Sequence, residues 1–146
     1  MIARRAREAD LEAWARMRAA LWPELDLDEH RAEAVEALAA DDVAVFVAEG
    51  PDGSLAGFGE AALRHDYVNG CDTSPVAFVE GVYVRPEHRR AEVGRALCAA
   101  IADWGRARGC VELASDALLD NTESHAFHAA VGFEETERVV YFRRAL

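Results

Sequence analysis

The stretch VEGVYVRPEHRRAEVGRALCAAIADWGRARG, residues 79–109, passes from an apolar run to a helical pattern through a short arginine-rich turn. The run VEGVYV predicts the end of a buried strand, and Pro86 ends it. Apolar residues then recur at three- and four-residue steps over residues 93 to 104, and Gly109 follows them, which predicts an amphipathic helix. A strand followed by a tight turn and a helix is typical of a parallel β-α-β unit.

The rest of the chain extends this pattern to the order β-α-α-β-β-β-α-β-α-β. Strands are predicted over residues 1–7, 43–50, 55–64, 76–84, 110–116 and 139–145, and helices over residues 8–23, 26–42, 91–109 and 121–132. A Pro-Asp-Gly turn joins the second and third strands as a hairpin. The fold class expected is α/β (α+β), with helices packed on a mixed sheet, in one domain of residues 1–146.

The charge balance restricts the ligands. The chain carries 27 acidic and 16 basic residues, for a net charge of −11. Nucleic-acid binding depends on basic residues and is not expected, whereas a surplus of carboxylates suits a cationic ligand. No run is long enough to span a membrane and no secretory signal is evident, so a cytoplasmic protein is expected, with Cys71, Cys98 and Cys110 as reduced thiols. The scattered histidines form no metal-binding pattern, so no metal is expected.

The turn before the 91–109 helix is suited to binding a phosphate. The first amides of a helix have no intrahelical partner and lie at the positive end of its dipole. Arg89, Arg90 and Arg95 add positive charge, although a plain helix start with solvated arginines explains them equally well. Glu92 stands where such turns usually have glycine. We expect Glu92 to have near-helical backbone angles and a solvent-exposed carboxylate, paired with Arg89 or Arg95.

These residues resemble the acetyl-CoA-binding segment of the GNAT N-acetyltransferases, which reads [QR]xxGx[GA] between a strand and a long helix. Arg89 takes the first position of that motif and Gly94 the last, and Glu92 replaces the first glycine. A second signature, an asparagine followed by a short helix ending in Gly-Phe, is matched by Asn121 and by residues 132–133. The resemblance implies the GNAT fold, with a mixed, mostly antiparallel sheet of six to seven strands flanked by about four helices.

The resemblance also implies acetyl-CoA as co-substrate, together with a set of residues that hold it. That set is Val82, Tyr83, Val84, Arg89, Arg90, Ala91, Val93, Gly94, Arg95, Asn121 and His128. His128 stands where many members have a tyrosine that acts as general acid toward the departing sulfur. A histidine can fill this catalytic role, and it can equally bind the cofactor or pack in its helix.

Five segments resemble the bacterial aminoglycoside 6′-N-acetyltransferases of the chromosomal, homodimeric kind: LWP (21–23), RHDYVNGCD (64–72), FVEGVYV (78–84), ASD (114–116) and GFEETERVVYF (132–142). This resemblance implies acetyl transfer from acetyl-CoA to the 6′-amine of an aminoglycoside antibiotic, which confers resistance. The substrate-binding residues implied are Trp22, Tyr67, Glu80, Asp116 and Glu137. Of these, Glu80 is also catalytic as the group that takes the amine proton, and Glu137 acts across a homodimer.

Glu80 is prominent without any resemblance, because a carboxylate inside an apolar strand is costly to bury. Strict alternation places Glu80 on one face with Phe78, Val82 and Val84, and it faces either a ligand or, on an edge strand, solvent. Asp116 ends a strand, where α/β sheets bind ligands and where turn aspartates also occur.

Two alternative functions fit the same residues. One is a GNAT enzyme that acetylates another polyamine or a protein amine. The other is a non-catalytic acyl-CoA-binding domain.

Overall fold

The computed structural model describes residues 2–89 and 92–146, and five strands within these ranges form one sheet in the order β1-β2-β3-β4-β5. The strands are β1 (Ala3–Arg5), β2 (Val43–Glu49), β3 (Leu55–Arg64), β4 (Val76–Val84) and β5 (Leu113–Ser115). Neighbouring strands from β1 to β4 pair antiparallel, and β5 pairs parallel to β4. The mixed, mostly antiparallel sheet predicted from the sequence is therefore confirmed, including the parallel strand that follows the long helix.

The described ranges contain four α-helices, as expected from the sequence: α1 (Leu11–Leu21), α2 (Leu27–Ala39), α3 (Val93–Ala107) and α4 (Thr122–Ala130). The α1 helix ends just before Pro23, which has no amide hydrogen to continue it. The α2 helix begins after Asp26, whose carboxylate accepts a hydrogen bond from the Glu29 amide at 2.8 Å and so caps the helix. None of the described helices is both long and apolar enough to cross a membrane.

The expectation of six to seven strands is wrong, because the described ranges form five. The predicted strand over residues 139–145 is absent, and no described residue from 133 to 146 belongs to a helix or strand. Residues 134–146, called the C-terminal arm below, extend away with Val140, Tyr141 and Phe142 exposed by 76%, 85% and 92%. The alternating apolar pattern of a strand is present there, but a strand also needs a neighbouring backbone to pair with.

The sheet is covered by helices on both faces. On one face, Leu97 and Ile101 of α3 are fully buried in a cluster that includes Val79 of β4. On the other face, Trp14 of α1 is fully buried in a cluster that includes Phe58 of β3. The β4 strand therefore lies between two apolar layers, so a polar side chain at its centre must be accommodated by a specific local structure.

Candidate active site

Glu80 sits at a β-bulge in the middle of β4. In the pairing of β3 with β4, Glu60 lies opposite Gly81 and Ala61 lies opposite Val79, so Glu80 is an extra residue without a partner. A bulge of this kind shifts the alternation of side chains by one residue. Val79 before the bulge and Val82 after it both pack on the α3 side of the sheet.

The bulge corrects the strict alternation expected from the sequence. Phe78 packs in a separate cluster with Val68 and Val76, whereas Val82 and Val84 pack on the α3 side, so these side chains do not share one face. Glu80 instead lines a cleft on the side of α1 and α2. Its carboxylate is directed toward a ligand-sized space and is not covered by core residues.

Arg64, at the end of β3, holds the Glu80 carboxylate. One guanidinium nitrogen of Arg64 donates to the two oxygens of Glu80 at 3.0 and 3.1 Å. The guanidinium also lies 3.6 Å from the centre of the Phe78 ring, which fixes its position. The Glu80 side chain keeps 36% of its surface exposed, so it stays accessible to a ligand from the cleft.

The cleft beside Glu80 is strongly acidic. It has a volume of about 360 Å³, and its charged lining comprises four carboxylates and one guanidinium. The lining residues are Arg18, Trp22, Leu25, Glu24, Glu33, Glu60 and Glu80. The structure thus brings together the predicted residues Trp22 and Glu80, and the excess of carboxylates favours a cationic ligand.

Tyr67 lies in a second cleft next to the first. Residues 63–67 line this cleft, which includes Arg64, the residue that holds Glu80. Tyr67 is 76% exposed, so its ring is free to contact a ligand. Glu112 anchors the far end of the same loop by accepting from the amides of Asp72 and Thr73 at 2.9 and 2.8 Å, and the hydrogen bond from the Thr73 side chain lowers the pKa of Glu112.

Asp116 follows β5 at the point where β4 and β5 separate. The last pair of these strands joins Val79 to Ser115, so Asp116 comes next to the level of the Glu80 bulge. Asp116 is exposed and does not line either described cleft. Its position in the register is consistent with the prediction, but the structure does not bring it into the cleft with Glu80.

His128 of α4 also lies at the point where β4 and β5 separate. Its Nδ1 donates to the carbonyl of Ser124 at 2.7 Å, which leaves Nε2 to accept from the Ser115 hydroxyl at 2.8 Å. The ring also packs edge-on against Phe133, with centroids 5.2 Å apart. Asn121 caps α4 by accepting from the Ser124 amide at 3.2 Å. His128 therefore couples α4 to the end of β5, beside the bulge.

Beyond the bulge, the outer edge of β4 is open because β5 pairs only with residues 77–79. The Arg85 amide donates to the Ala56 carbonyl of β3 at 2.8 Å, so alternation turns the backbone groups of Val84 and Val82 toward the open edge. In agreement, the Val84 carbonyl accepts from Arg89 Nε at 3.1 Å. The Tyr83 side chain lies on the opposite face of the sheet from those of Val82 and Val84, and it packs with the cluster of α1 and α2.

Glu92 precedes the first residue of α3, and the expectation for its backbone is wrong. Its φ of 65° and ψ of 11° lie in the left-handed region, which favours glycine. The rest of the expectation holds, since its carboxylate is 73% exposed and accepts from Arg95 Nε at 2.7 Å. Glu92 thus has the backbone conformation that a glycine at this motif position would adopt without strain, and its side chain is directed outward.

Gly94 and Val93 begin α3 as buried residues. A Cβ on Gly94 would lie 2.6 Å from Cε1 of Phe127, so the glycine allows α4 to pack directly against the start of α3. Arg95 donates to the Ala130 carbonyl at 2.7 Å and so joins the same two helices. Val93 therefore anchors the start of α3 in the core, and Gly94 and Arg95 join it to α4.

Three of the predicted site residues remain, namely Arg90, Ala91 and Glu137. Arg90 and Ala91 lie outside the described residues. Glu137 lies in the C-terminal arm, is exposed, and does not line the acidic cleft. Its neighbour Thr136 contacts the Tyr67 loop, because a Cβ on Gly70 would lie 2.1 Å from Thr136 Oγ1.

Sequence patterns missed three charged residues around the cleft. Arg64 ends a predicted strand, and its contact with Glu80 depends on the pairing of β3 with β4. Arg18 shares a helical face with Trp14 and Met17, and this charge on an apolar face was the available signal. Its partner Glu60 is the charged residue in the middle of the largely apolar β3.

The described residues contain no group of three or more His, Cys, Asp or Glu side chains that could hold a metal ion. The three cysteines are free, and burial raises the pKa of the Cys98 thiol to about 11. A thiol with such a pKa is a poor nucleophile at neutral pH.

The acetyltransferase (GNAT) family matches residues 8–133. The chain belongs to this family. The match includes the bulged β4 strand, the start of α3 and the whole of α4, which are the elements that form the site.

Curated relatives within this family resemble the chain over almost its full length. The aminoglycoside N(6′)-acetyltransferase type 1 of Stenotrophomonas maltophilia is 52% identical over 143 residues, which cover 98% of this chain and 92% of the relative. The enzyme of the same name from Serratia marcescens is 48% identical and covers 94% of each chain.

Solved structures agree with these relatives. AAC(6′)-Iy in complex with the bisubstrate analogue CoA-S-monomethyl-acetylneamine has a TM-score of 0.93 and 46% identity, covering 99% of this chain and 97% of that one. AAC(6′)-IG from Acinetobacter haemolyticus has a TM-score of 0.94 and 41% identity, covering 100% of this chain and 99% of that one.

Proposed function

We propose that this chain transfers the acetyl group of acetyl-CoA to the 6′-amine of aminoglycoside antibiotics and thereby confers resistance to them. The observation that carries this proposal is the bulge carboxylate of Glu80, which lines an acidic cleft at the point where β4 and β5 separate. Relatives at 42–52% identity have this activity in their names. We place the reaction in the cytoplasm, where acetyl-CoA is available.

The acceptor fits the acidic cleft. Aminoglycosides carry several ammonium groups, and four carboxylates against one guanidinium line the cleft. Trp22 supplies an aromatic wall for a sugar ring, and Glu80 binds the reacting amine. Tyr67 and Asp116, on the neighbouring loop and at the end of β5, contact more distant parts of the acceptor.

The co-substrate fits the open edge of β4 beyond the bulge. Acetyl-CoA supplies the thioester, and its extended pantetheine arm can pair with the open backbone edge at Val82 and Val84. The amides at the start of α3 face the pyrophosphate, with Arg89 close by. This division places an anionic co-substrate at a helix N-terminus and a cationic acceptor among carboxylates.

The reaction moves three protons around one bond exchange, because the acceptor nitrogen loses two protons and the sulfur gains one. The 6′-ammonium gives a proton to Glu80, directly or through a water molecule, and the nitrogen lone pair then attacks the thioester carbonyl carbon. The carbon–sulfur bond breaks as the carbon–nitrogen bond forms, and the nitrogen gives its second proton to water. The sulfur leaves as a thiol after it gains a proton.

His128 is the proposed source of the proton that the sulfur gains. In its neutral form both ring nitrogens are engaged, with Ser124 and Ser115 as partners. A proton for the sulfur is therefore available when His128 is an imidazolium that donates to Ser115, because the Ser115 hydroxyl then gives up its 3.4 Å bond to the Val79 carbonyl and turns outward.

Glu80→Gln keeps the shape of the side chain and removes its ability to accept a proton. We expect kcat/KM for neomycin to fall by about 10²- to 10³-fold, since general-base catalysis typically contributes that much. Steady-state kinetics of CoA release measure it. Glu24→Gln is the matched control, because it removes one charge from the same cleft without changing the bulge. Equal, small effects of the two variants would contradict the role of Glu80.

Glu92→Gly removes both a left-handed glutamate and a carboxylate beside the proposed phosphate site. We expect a gain of about 0.5–1 kcal/mol in the free energy of unfolding, because relief of backbone strain exceeds the loss of an exposed ion pair. We also expect CoA to bind about two- to fivefold more tightly, as measured by isothermal titration calorimetry.

Glu92→Gln separates the two effects, since it removes the charge and retains the strained backbone. It should tighten CoA binding without the gain in stability, which urea unfolding measures. Unchanged CoA affinity in both variants would show that the start of α3 does not hold the pyrophosphate.

We further propose that the chain forms a homodimer through its C-terminal arm. Val140 and Phe142 alternate with Val139 and Tyr141, so both faces of the arm are apolar, which suits a strand buried between two layers. The outer edge of β5 is the last in the sheet and is open to a further strand. The arm of one copy adding to β5 of a second copy would satisfy both and would bring Glu137 toward the partner's cleft.

Phe142→Asp should convert the dimer to a monomer at micromolar concentration, because a charge is introduced where the arm is buried by the second copy. Sedimentation velocity of the full chain measures this. Ile2→Asp is the matched control, since Ile2 is equally apolar, 84% exposed, and precedes β1 at the far side of the sheet. A monomeric wild-type protein, or a Phe142→Asp variant that remains dimeric, would contradict the proposal.

A further inference from the structure

A buried ion pair forms part of the wall of the acidic cleft. Arg18 of α1 and Glu60 of β3 are only 6% and 7% exposed, and their side chains form a salt bridge. Glu60 also accepts from Trp14 Nε1 at 2.9 Å. Arg18 also reaches Glu33 of α2, and its Nε donates to His30 Nδ1 at 3.3 Å. Every polar group of the pair thus has a partner inside the protein.

Such a pair is not explained by stability. Removing two charges from water costs several kcal/mol per ion, and apolar replacements of buried pairs are often neutral or stabilising. A fully partnered guanidinium in the core therefore points to a role in what it contacts. The contact that remains after its ion pairs are counted is with Trp22.

Arg18 and its neighbours fix the Trp22 ring. The Arg18 guanidinium carbon lies 4.9 Å from the centre of that ring, in a cation–π contact. His30 stacks on the same ring at 6.5 Å, and its Nε2 donates to the Trp22 carbonyl at 2.8 Å. On the β4 side, a Cβ on Gly81 would lie 2.5 Å from Trp22 Cζ2, so the ring rests directly on the strand.

Trp22 is therefore clamped between a buried cation and the strand residue that follows Glu80. It lies just after the end of α1, with φ of −124° and ψ of 75°, so no helix holds its side chain in place. Without Arg18 and His30, the ring would keep only its edge-on contact with Phe58, at 6.1 Å between centroids, and its contact with the strand.

Resting on the proposed acetyl transfer, we propose that Arg18 is a positioning residue for the acceptor. Held by Glu60, it acts through Trp22 and fixes the wall against which the acceptor ring stacks next to Glu80. Arg18 does not touch the acetyl donor or the reacting atoms. Its loss should weaken acceptor binding and leave the donor side of β4 unaffected.

The test compares three variants of the full chain by steady-state kinetics with neomycin and acetyl-CoA. Arg18→Met leaves Glu60 buried without its cation and is expected to lower stability. The double variant Arg18→Met with Glu60→Met removes both charges and keeps the core apolar. Gly81→Ala displaces Trp22 from the opposite side and leaves the ion pair in place.

The double variant and Gly81→Ala should each raise KM for neomycin by roughly tenfold, the effect of losing one well-placed aromatic contact, with KM for acetyl-CoA unchanged and kcat within about twofold. In a Trp22→Ala background, replacing the ion pair should have no further effect on the neomycin KM, because the path through Trp22 is already lost. A purely structural role would not produce this coupling.

The inference would be overturned if the double variant and Gly81→Ala both had the same KM for neomycin as the wild-type protein. It would also be overturned if replacing the ion pair in the Trp22→Ala background raised that KM as much as it does with Trp22 present. These outcomes are distinct from a failure of the proposed function, in which the wild-type protein itself would release no CoA with neomycin.

Discussion

The β-bulge at Glu80 is the constraint on which the site depends. One unpaired residue in β4 allows Val79 and Val82 to share the α3 face and releases a carboxylate on the opposite side of the sheet. At the same level β5 ends its pairing with β4, so the next backbone groups of β4 are open. A single local irregularity thus creates an acidic cleft and an open strand edge within one or two residues of each other.

This arrangement allows one strand to serve two ligands of opposite charge. Carboxylates dominate the cleft on the side of α1 and α2, whereas Arg89 and the N-terminal amides of α3 lie at the other end of the strand. Glu92 is the exception, since it places a carboxylate at the anionic end in a strained backbone conformation. Its outward direction and its pairing with Arg95 limit the repulsion.

Much of the fold was predictable because its elements follow local rules. Pro23 and Asp26 mark the end of α1 and the start of α2, and the apolar period of α3 matches its buried face. The bulge was not predictable from alternation, because a register shift depends on the facing strand. The predicted last strand failed for a related reason, since residues 139–145 have the composition of a strand but no partner within the described chain.

The residues of the site likewise differ in whether the sequence alone could predict them. Glu80 was predicted from sequence because a carboxylate in an apolar strand is costly, and Trp22 was predicted through the family resemblance. Arg18 and Glu60 required the tertiary structure, since neither has a local signal that pairs it with the other. The positive φ of Glu92 was implicit in the motif, which has glycine at that position, but the residue type gave no indication of it.

The central claim is that the cleft presents a 6′-amine to the acetyl donor. Neomycin and paromomycin test it directly, because they differ in carrying an amine or a hydroxyl at the 6′ position. With the full chain and acetyl-CoA, we predict that neomycin releases CoA and gains a single acetyl group by mass spectrometry, whereas paromomycin remains unmodified. Equal CoA release with both antibiotics, or acetylation of paromomycin, would contradict the account.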